Sequence, residues 1–228
     1  MAQPALGALV DAALARRLRE LKLESCTPPA AAPLARLLTE GSLAVLESSH
    51  ISTDDMPLFD AAGAALVADA LRMNTTLTKL VLDGTDVCLD MDAAGAFVGG
   101  LVGHPSLREL QITGESPYMG DRSALGPALG AVIAADAPAL LSVDFSRNTL
   151  ADAGLAPIVE ALPLNRHLHT LHLYQNDMSE AFARERLLPA VRANTSLRDL
   201  MCFTSGLWGA AIEAEVLVCD RVDREEHG

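Results

Sequence analysis

The chain has 228 residues, half of them apolar, with a formal charge of −13 and a pI of about 4.7. That length allows one or two globular domains or a single array of repeats. The acidic balance argues against nucleic-acid binding, where Lys and Arg displace counterions from phosphates; with aromatics at 4%, the core must be built from Ala, Leu and Val.

The opening residues, Met1-Ala2-Gln3-Pro4, lack the basic and apolar regions of a secretory signal. No apolar run reaches the roughly 18 residues that span a membrane. Cys26, Cys88, Cys202 and Cys219 lie far apart with no Cys-x-x-Cys pair, which fits reduced thiols in a cytoplasmic protein. Pro4 to Ala15 reads as a helix. From Leu18 onward the pattern Leu-x-x-Leu-x-Leu recurs. Its copies are Leu18-Leu21-Leu23, a degenerate Leu43-Leu46-Ser48, Leu77-Leu80-Leu82, Leu107-Leu110-Ile112, Leu140-Val143-Phe145, Leu168-Leu171-Leu173 and Leu197-Leu200-Cys202. Their first leucines are 25 to 34 residues apart, about 30 on average, a period that marks stacked supersecondary units. Ser48 stands where a core leucine is expected, and the fourth copy carries an insertion, Gly114 to Arg122.

Eight residues past the first leucine, Cys26, Asn148 and Asn176 match a turn position that favours Asn or Cys, with Leu150 and Met178 next as apolar anchors. Thr85, Glu115 and Ser205 take that place elsewhere and predict looser turns. Helices are predicted over Ala64–Leu71, Ala96–Leu101, Leu125–Ala134, Leu155–Leu162 and Ala181–Val191, with Asp60, Asp92 and Asp152 as caps for exposed N–H groups. Gly99-Gly100 fits close helix packing. Turns follow at Asn74, Gly103-His104-Pro105, Asp136-Ala137-Pro138, Asn165 and Asn194, where asparagine is expected in the left-handed conformation. The sequons at Asn74 and Asn194 read as turns. Trp208 to Val218 reads as a last helix and Asp220 to Gly228 as a mixed-charge tail.

A strand–turn–helix unit cannot bury its own leucines and must stack on its neighbours. Strands spaced about 4.8 Å apart against helices about 10 Å wide bend such a stack. The expected fold is α/β: a leucine-rich-repeat solenoid forming a right-handed β/α horseshoe segment of about seven repeats, with a concave parallel sheet and convex helices. Residues 1–17 form an N-terminal capping helix, 18–205 the repeats, and 206–228 a C-terminal capping helix and tail. A fragment of a longer array is the alternative.

The period, the Asn/Cys position and the full helix per repeat resemble the ribonuclease-inhibitor-like class of leucine-rich repeats. Gly63 to Leu77 and Gly154 to Leu168 carry the resemblance most closely, and it covers about residues 18–212. It implies a protein that acts by holding a protein partner.

Side chains alternate along a strand, so the third, fifth and seventh positions of each copy face the concave side. In order these are Glu20, Lys22 and Glu24; Val45, Glu47 and Ser49; Lys79, Val81 and Asp83; Glu109, Gln111 and Thr113; Ser142, Asp144 and Ser146; Thr170, His172 and Tyr174; Asp199, Met201 and Phe203. Five strands are acidic and polar. The last two turn apolar, with Tyr174, Met201 and Phe203 on adjacent rungs, the composition favoured at interface hot spots. The expected partner-binding residues are Asp144, His172, Tyr174, Met201, Phe203 and Trp208, with Asp144, His172 and Tyr174 as a polar rim. Cover of this patch by the C-terminal segment is the competing expectation.

Catalytic and metal chemistry have weak support. His167, His169 and His172 are clustered, but 169 and 172 point to opposite faces of a strand, and zinc needs three or four converging ligands. Asp83, Asp86, Asp90 and Asp92 suggest a calcium loop, yet Leu101 stands where its closing Glu belongs. No phosphate-binding glycine motif or nucleophile elbow is present. The sequence therefore predicts a non-enzymatic interaction scaffold with no metal or cofactor, binding a protein and neither nucleic acid nor membrane, as a monomer or weak homo-oligomer. Two alternatives stand beside it: an enzyme-regulating protein of the GTPase-activating kind, working through Arg147, Asn148, Gln175 and Asn176, and a self-assembling fragment.

Overall fold

The alternation of leucine with polar residues settles which side of each strand is inside. A computed structural model describes residues 10–24, 31–49, 58–84, 87, 90–114, 120–202 and 209–227. A helical segment, α1 (10–15), precedes β1 (Glu20–Glu24) and α2 (Ala31–Glu40). Then follow β2 (Val45–Ser49), α3 (Ala61–Met73), β3 (Lys79–Asp83), α4 (Met91–Gly99), β4 (Glu109–Thr113) and α5 (Gly126–Ala134). The last part holds β5 (Ser142–Asp144), α6 (Ala151–Ala161), β6 (Thr170–His172), α7 (Glu180–Phe182), α8 (Leu188–Ala193), β7 (Asp199–Met201) and α9 (Ala210–His227). A π turn over Ala183–Leu187 joins α7 to α8.

The described strands form one seven-stranded parallel sheet in chain order, β1 to β7. Register never slips: Leu21, Leu46, Leu80, Leu110, Val143, Leu171 and Leu200 lie opposite one another across successive strands. From the second copy on, the leucine-pattern positions are buried, Ser48 among them at 7% exposure. The second coil thus keeps its place despite the serine, and a narrow apolar cavity lined by Leu23, Leu46, Leu58, Phe59 and Phe97 lies beside it. Leu18, Leu21 and Leu23 of the first coil are only half-buried, and an apolar groove between them, Val10, Leu34 and Leu37 marks that end.

Helices pack in sequence order on one another, α5 with α6 most extensively. Small residues permit it. A Cβ on Gly126 would fall 2.2 Å from the Gly154 carbonyl oxygen, and one on Gly100 2.6 Å from that of Ala68, whereas Gly99 faces open space. Close packing thus rests on Gly100 of the Gly99-Gly100 pair. Among the described residues no helix is long and apolar enough to cross a membrane.

Asparagines tie coil to coil at two levels. Asn148 Nδ2 donates to the Ile112 and Phe145 carbonyls, and Asn176 Nδ2 to those of Phe145 and Leu173, both side chains buried. Cys26, Thr85, Glu115 and Ser205, also named above for this position, lie outside the described residues. A second ladder sits three residues before the first leucine. Asn74, Asn165 and Asn194 have φ between −74° and −77° with extended ψ, which corrects the expectation of left-handed residues. Their job is hydrogen bonding: each oxygen accepts from two following N–H groups, while Nδ2 donates to Leu38, Ile133 or Leu162 of the preceding coil. Left-handed conformations occur instead beside Asn148 and Asn176, at Arg147, Thr149, Gln175 and Asp177.

Helices α3, α4, α6 and α7 start before their expected first residues, whereas α5 starts at Gly126, one residue after the expected Leu125. Asp60 caps α3 through the Gly63 N–H as expected. Asp90, not Asp92, caps α4, since the helix begins at Met91 and the Asp90 carboxylate receives the N–H groups of Asp92 and Ala93. Asp152 does not cap α6; it accepts from the Ser179 N–H and hydroxyl, fixing the start of α7 in the next coil. Helix α9 continues through the stretch read as a tail, which contains no Gly or Pro before residue 228. Its Glu215 carboxylate receives the Cys202 N–H just past the last strand, and Ala210, Ala211, Ala214 and Val218 are buried there.

Candidate inner-face interaction site

Because register is unbroken, the outward positions line up as rows across the sheet. One row reads Glu20, Val45, Lys79, Glu109, Ser142, Thr170 and Asp199, and the next Lys22, Glu47, Val81, Gln111, Asp144, His172 and Met201. This face is uncovered among the described residues, with Glu20, Glu109 and Asp199 exposed over more than half of their side chains.

Over β1–β4 the charges zigzag. Lys22 Nζ reaches Glu20 at 3.4 Å and Glu47 at 2.9 Å, and Lys79 Nζ reaches Glu47 at 3.0 Å and Glu109 at 3.4 Å. Hydrogen bonds from Lys22 and Lys79 hold the Glu47 carboxyl below its usual range, and Glu47 in turn raises both lysines. Such partly exposed pairs are worth little individually; they set the order of charges along the face. The floor between them is a shallow hollow lined by Lys22, Glu47, Ser49, Lys79, Asp83 and Gln111.

The strand ends depart from simple alternation. Thr113 and Ser146, expected on the open face, are buried. Thr113 donates its hydroxyl to Asp83 at 2.6 Å, and Arg147 reaches from the turn after β5 to the same carboxylate oxygen at 3.0 Å. Ser146 turns in where β5 has already ended, its N–H donating to Asp144.

At β5–β7 the geometry brings three groups together. His172 Nε2 is 3.1 Å from Asp199 Oδ2, a hydrogen bond, and Nδ1 is 3.9 Å from Asp144 Oδ2, an ion-pair distance. Both carboxylates raise the His172 pKa, Asp144 more than Asp199, while burial opposes them. Burial pushes the Asp144 carboxyl up, but the nearby His172 and the hydrogen bond from the Ser146 N–H outweigh it and hold it low.

Of the residues expected to bind a partner, Asp144 and His172 meet in this trio. Met201 pairs directly with His172 in register and is 43% exposed. Tyr174, half-buried, lies beyond the end of β6, one rung past the His172–Met201 pair, its carbonyl accepting from the Arg147 N–H. Phe203 and Trp208 lie outside the described residues. Asp199 was legible only as one of many outward acids; its pairing with His172 follows from register. His167 bonds Asp136 at the helix–strand turn, remote in role from His172. Among the described residues no three His, Cys, Asp or Glu side chains are placed to hold a metal ion.

No family model matches the sequence, and no curated protein matches it in sequence. Solved structures do match in shape. One described as leiomodin-1 actin-binding site 2 has a TM-score of 0.56 at 15% identity, covering 70% of this chain and 90% of that one. The tropomodulin C-terminal domain of Caenorhabditis elegans has a TM-score of 0.44 at 11% identity, covering 98% of each chain. The likeness to leiomodin-1 is one of fold, a β/α arrangement shared over 70% of this chain.

Proposed function

We propose that the chain is a leucine-rich-repeat solenoid of the ribonuclease-inhibitor-like class that serves as a non-enzymatic interaction scaffold. A protein partner lies along the concave sheet and adjacent loops, contacting Asp144, His172, Tyr174 and Met201, together with Phe203 and Trp208. Residues 1–17 and 206–228 act as caps around repeats at 18–205. The observation that carries the reading is an uncovered, register-aligned sheet face with Met201 43% exposed at its C-terminal end. A large exposed apolar side chain among polar neighbours is typical of interface anchors. The fold shared with a structure described as an actin-binding site is in keeping with a protein-binding role.

The test is capture of partners by the wild-type chain and by a Tyr174→Ala/Met201→Ala variant. Met201 is 43% exposed and Tyr174 half-buried, so circular dichroism of the variant accompanies the capture to show that it is folded. At least a tenfold loss of one specific partner is expected, because hot-spot truncations cost about 2 kcal/mol or more. Equal recovery of every partner by both proteins removes the patch from consideration.

A further inference from the structure

We propose that the sheet face over β5–β7 docks a basic segment of a partner protein, one Lys or Arg of which seats between Asp144 and Asp199 in place of the proton on His172. This rests on the inner-face reading above and adds the partner's chemistry. Among the side chains described on the outward rows and the turn after β5 are the carboxylates of Glu20, Glu47, Asp83, Glu109, Asp144 and Asp199 and the permanent cations Lys22, Lys79 and Arg147. All three cations are engaged: Lys22 with Glu20 and Glu47, Lys79 with Glu47 and Glu109, Arg147 with Asp83. Among the described residues, the one ion-pair partner of Asp144 and Asp199 is the imidazole of His172. Asp144 and Asp199 thus differ from Glu20, Glu47, Asp83 and Glu109, each of which has a permanent cation at ion-pair distance.

The surroundings suit a cationic side chain. Exposed Met201 lies beside His172 and offers an apolar surface for an aliphatic stem, while the charged tip reaches the carboxylates. A guanidinium can bond carboxylates with several fixed donors, whereas a neutral imidazole offers one N–H. The groups facing His172 are Asp144 from β5 and Asp199 and Met201 from β7. Arg198, just before β7, donates from Nη1 to the Thr195 and Leu197 carbonyls. Proton and partner cation thus compete for the same two carboxylates. When His172 is protonated it satisfies them and repels a second cation; when it is neutral they are open to one.

The experiment is fluorescence anisotropy with the full chain and a labelled octa-arginine peptide at physiological salt, at pH 5.5 and 8.0. An octa-glutamate peptide serves as the control probe. Octa-arginine should bind at least threefold tighter at pH 8.0, and His172→Gln should flatten that dependence. Asp144→Asn/Asp199→Asn should weaken binding at least tenfold, and Asp199→Asn alone, at an exposed site, at least threefold. Asp69→Asn/Glu185→Gln removes the same number of charges from the helices and should change affinity less than twofold. Equal weakening by the two double variants, or tighter binding at pH 5.5, overturns the proposal. If Tyr174→Ala/Met201→Ala abolishes capture of a partner that octa-arginine cannot displace, the inner-face reading stands and the basic-segment proposal fails; if the variant changes nothing, both fail.

Discussion

His104 occupies the place in its coil that Asn74, Asn165 and Asn194 occupy in theirs, three residues ahead of the first leucine. Its Nδ1 accepts from the N–H groups of Ser106 and Leu107 at 3.4 and 3.2 Å, doing the work of an asparagine oxygen. The ring proton must then sit on Nε2, which is buried with no acceptor among the described residues. Burial pushes the His104 pKa below its ordinary 6.5. The sign of the pH effect follows by linkage. Above about pH 6.5 His104 is neutral in both folded and unfolded chains and its contribution is intact. As pH falls below that, the unfolded chain takes up a proton that the folded one refuses, so stability declines until the depressed folded value is passed. His104→Asn removes this linkage and supplies the Nδ2 donor used in the other coils. The difference in melting temperature between variant and wild type should shift in the variant's favour as pH is lowered from 7.5 to 5. A constant difference across that range counts against the assignment. Comparing the two proteins also cancels His172, whose raised pKa acts oppositely: its contribution is full below about pH 6.5 and is lost as pH rises through the folded value. The asparagine ladder before each strand was legible as turns but not as bonding, because each Nδ2 acceptor lies in the preceding coil, 32 to 36 residues away along the chain.

Helix α5 begins against α6 with no room for a methyl group. A Cβ on Gly126 would stand 2.2 Å from the Gly154 carbonyl oxygen and 2.5 Å from its Cα. Gly126→Ala gains helix propensity of about 1 kcal/mol but forces two backbones apart, an overpacking cost of about 1–3 kcal/mol and more where backbone must move. The clash wins, and a fall in melting temperature of about 5 °C is expected for a chain of this size. Gly99→Ala in α4 has no atom within 4 Å of the new methyl and should raise it instead. If both variants stabilise, α5 and α6 are not packed backbone to backbone. At this scale the sequence located every repeat strand but misjudged where elements begin. Asp90 and Asp92 carry the same capping chemistry two residues apart, and only the backbone distinguishes them. Likewise, alternation predicts Thr113 and Ser146 outward. It cannot foresee Arg147 reaching over Thr113 to Asp83, or that β5 stops at Asp144. The candidate trio fared similarly: Asp144 and His172 were legible from alternation, and Asp199 as their partner required the register between β6 and β7.

Stacked coils derive their stability from neighbours, so position in the stack decides how much a core leucine contributes. Leu171 sits in β6 between β5 and β7 and is 0% exposed. Leu21 occupies the same place in β1, which pairs only with β2 among the described strands, and is half-buried. Identical truncations should therefore differ. Leu171→Ala leaves a cavity walled by two coils and should cost about 3 kcal/mol or more, within the range for fully buried leucines. Leu21→Ala removes contacts on one side only and should cost about 1 kcal/mol, since less apolar area leaves water at that position. Urea unfolding followed by circular dichroism measures both, with hydrogen exchange showing where protection is lost. Lowered protection confined to β1 in the Leu21 variant, but spread over β5–β7 in the Leu171 variant, is the pattern expected from nearest-neighbour coupling. Equal costs would mean that the first coil is as well supported as the sixth, by chain beyond the described residues. The difference also bears on recognition: Asp144, His172 and Asp199 are held on three successive strands. A cavity at Leu171 should thus loosen their spacing and weaken octa-arginine binding, while a cavity at Leu21 should leave it unchanged.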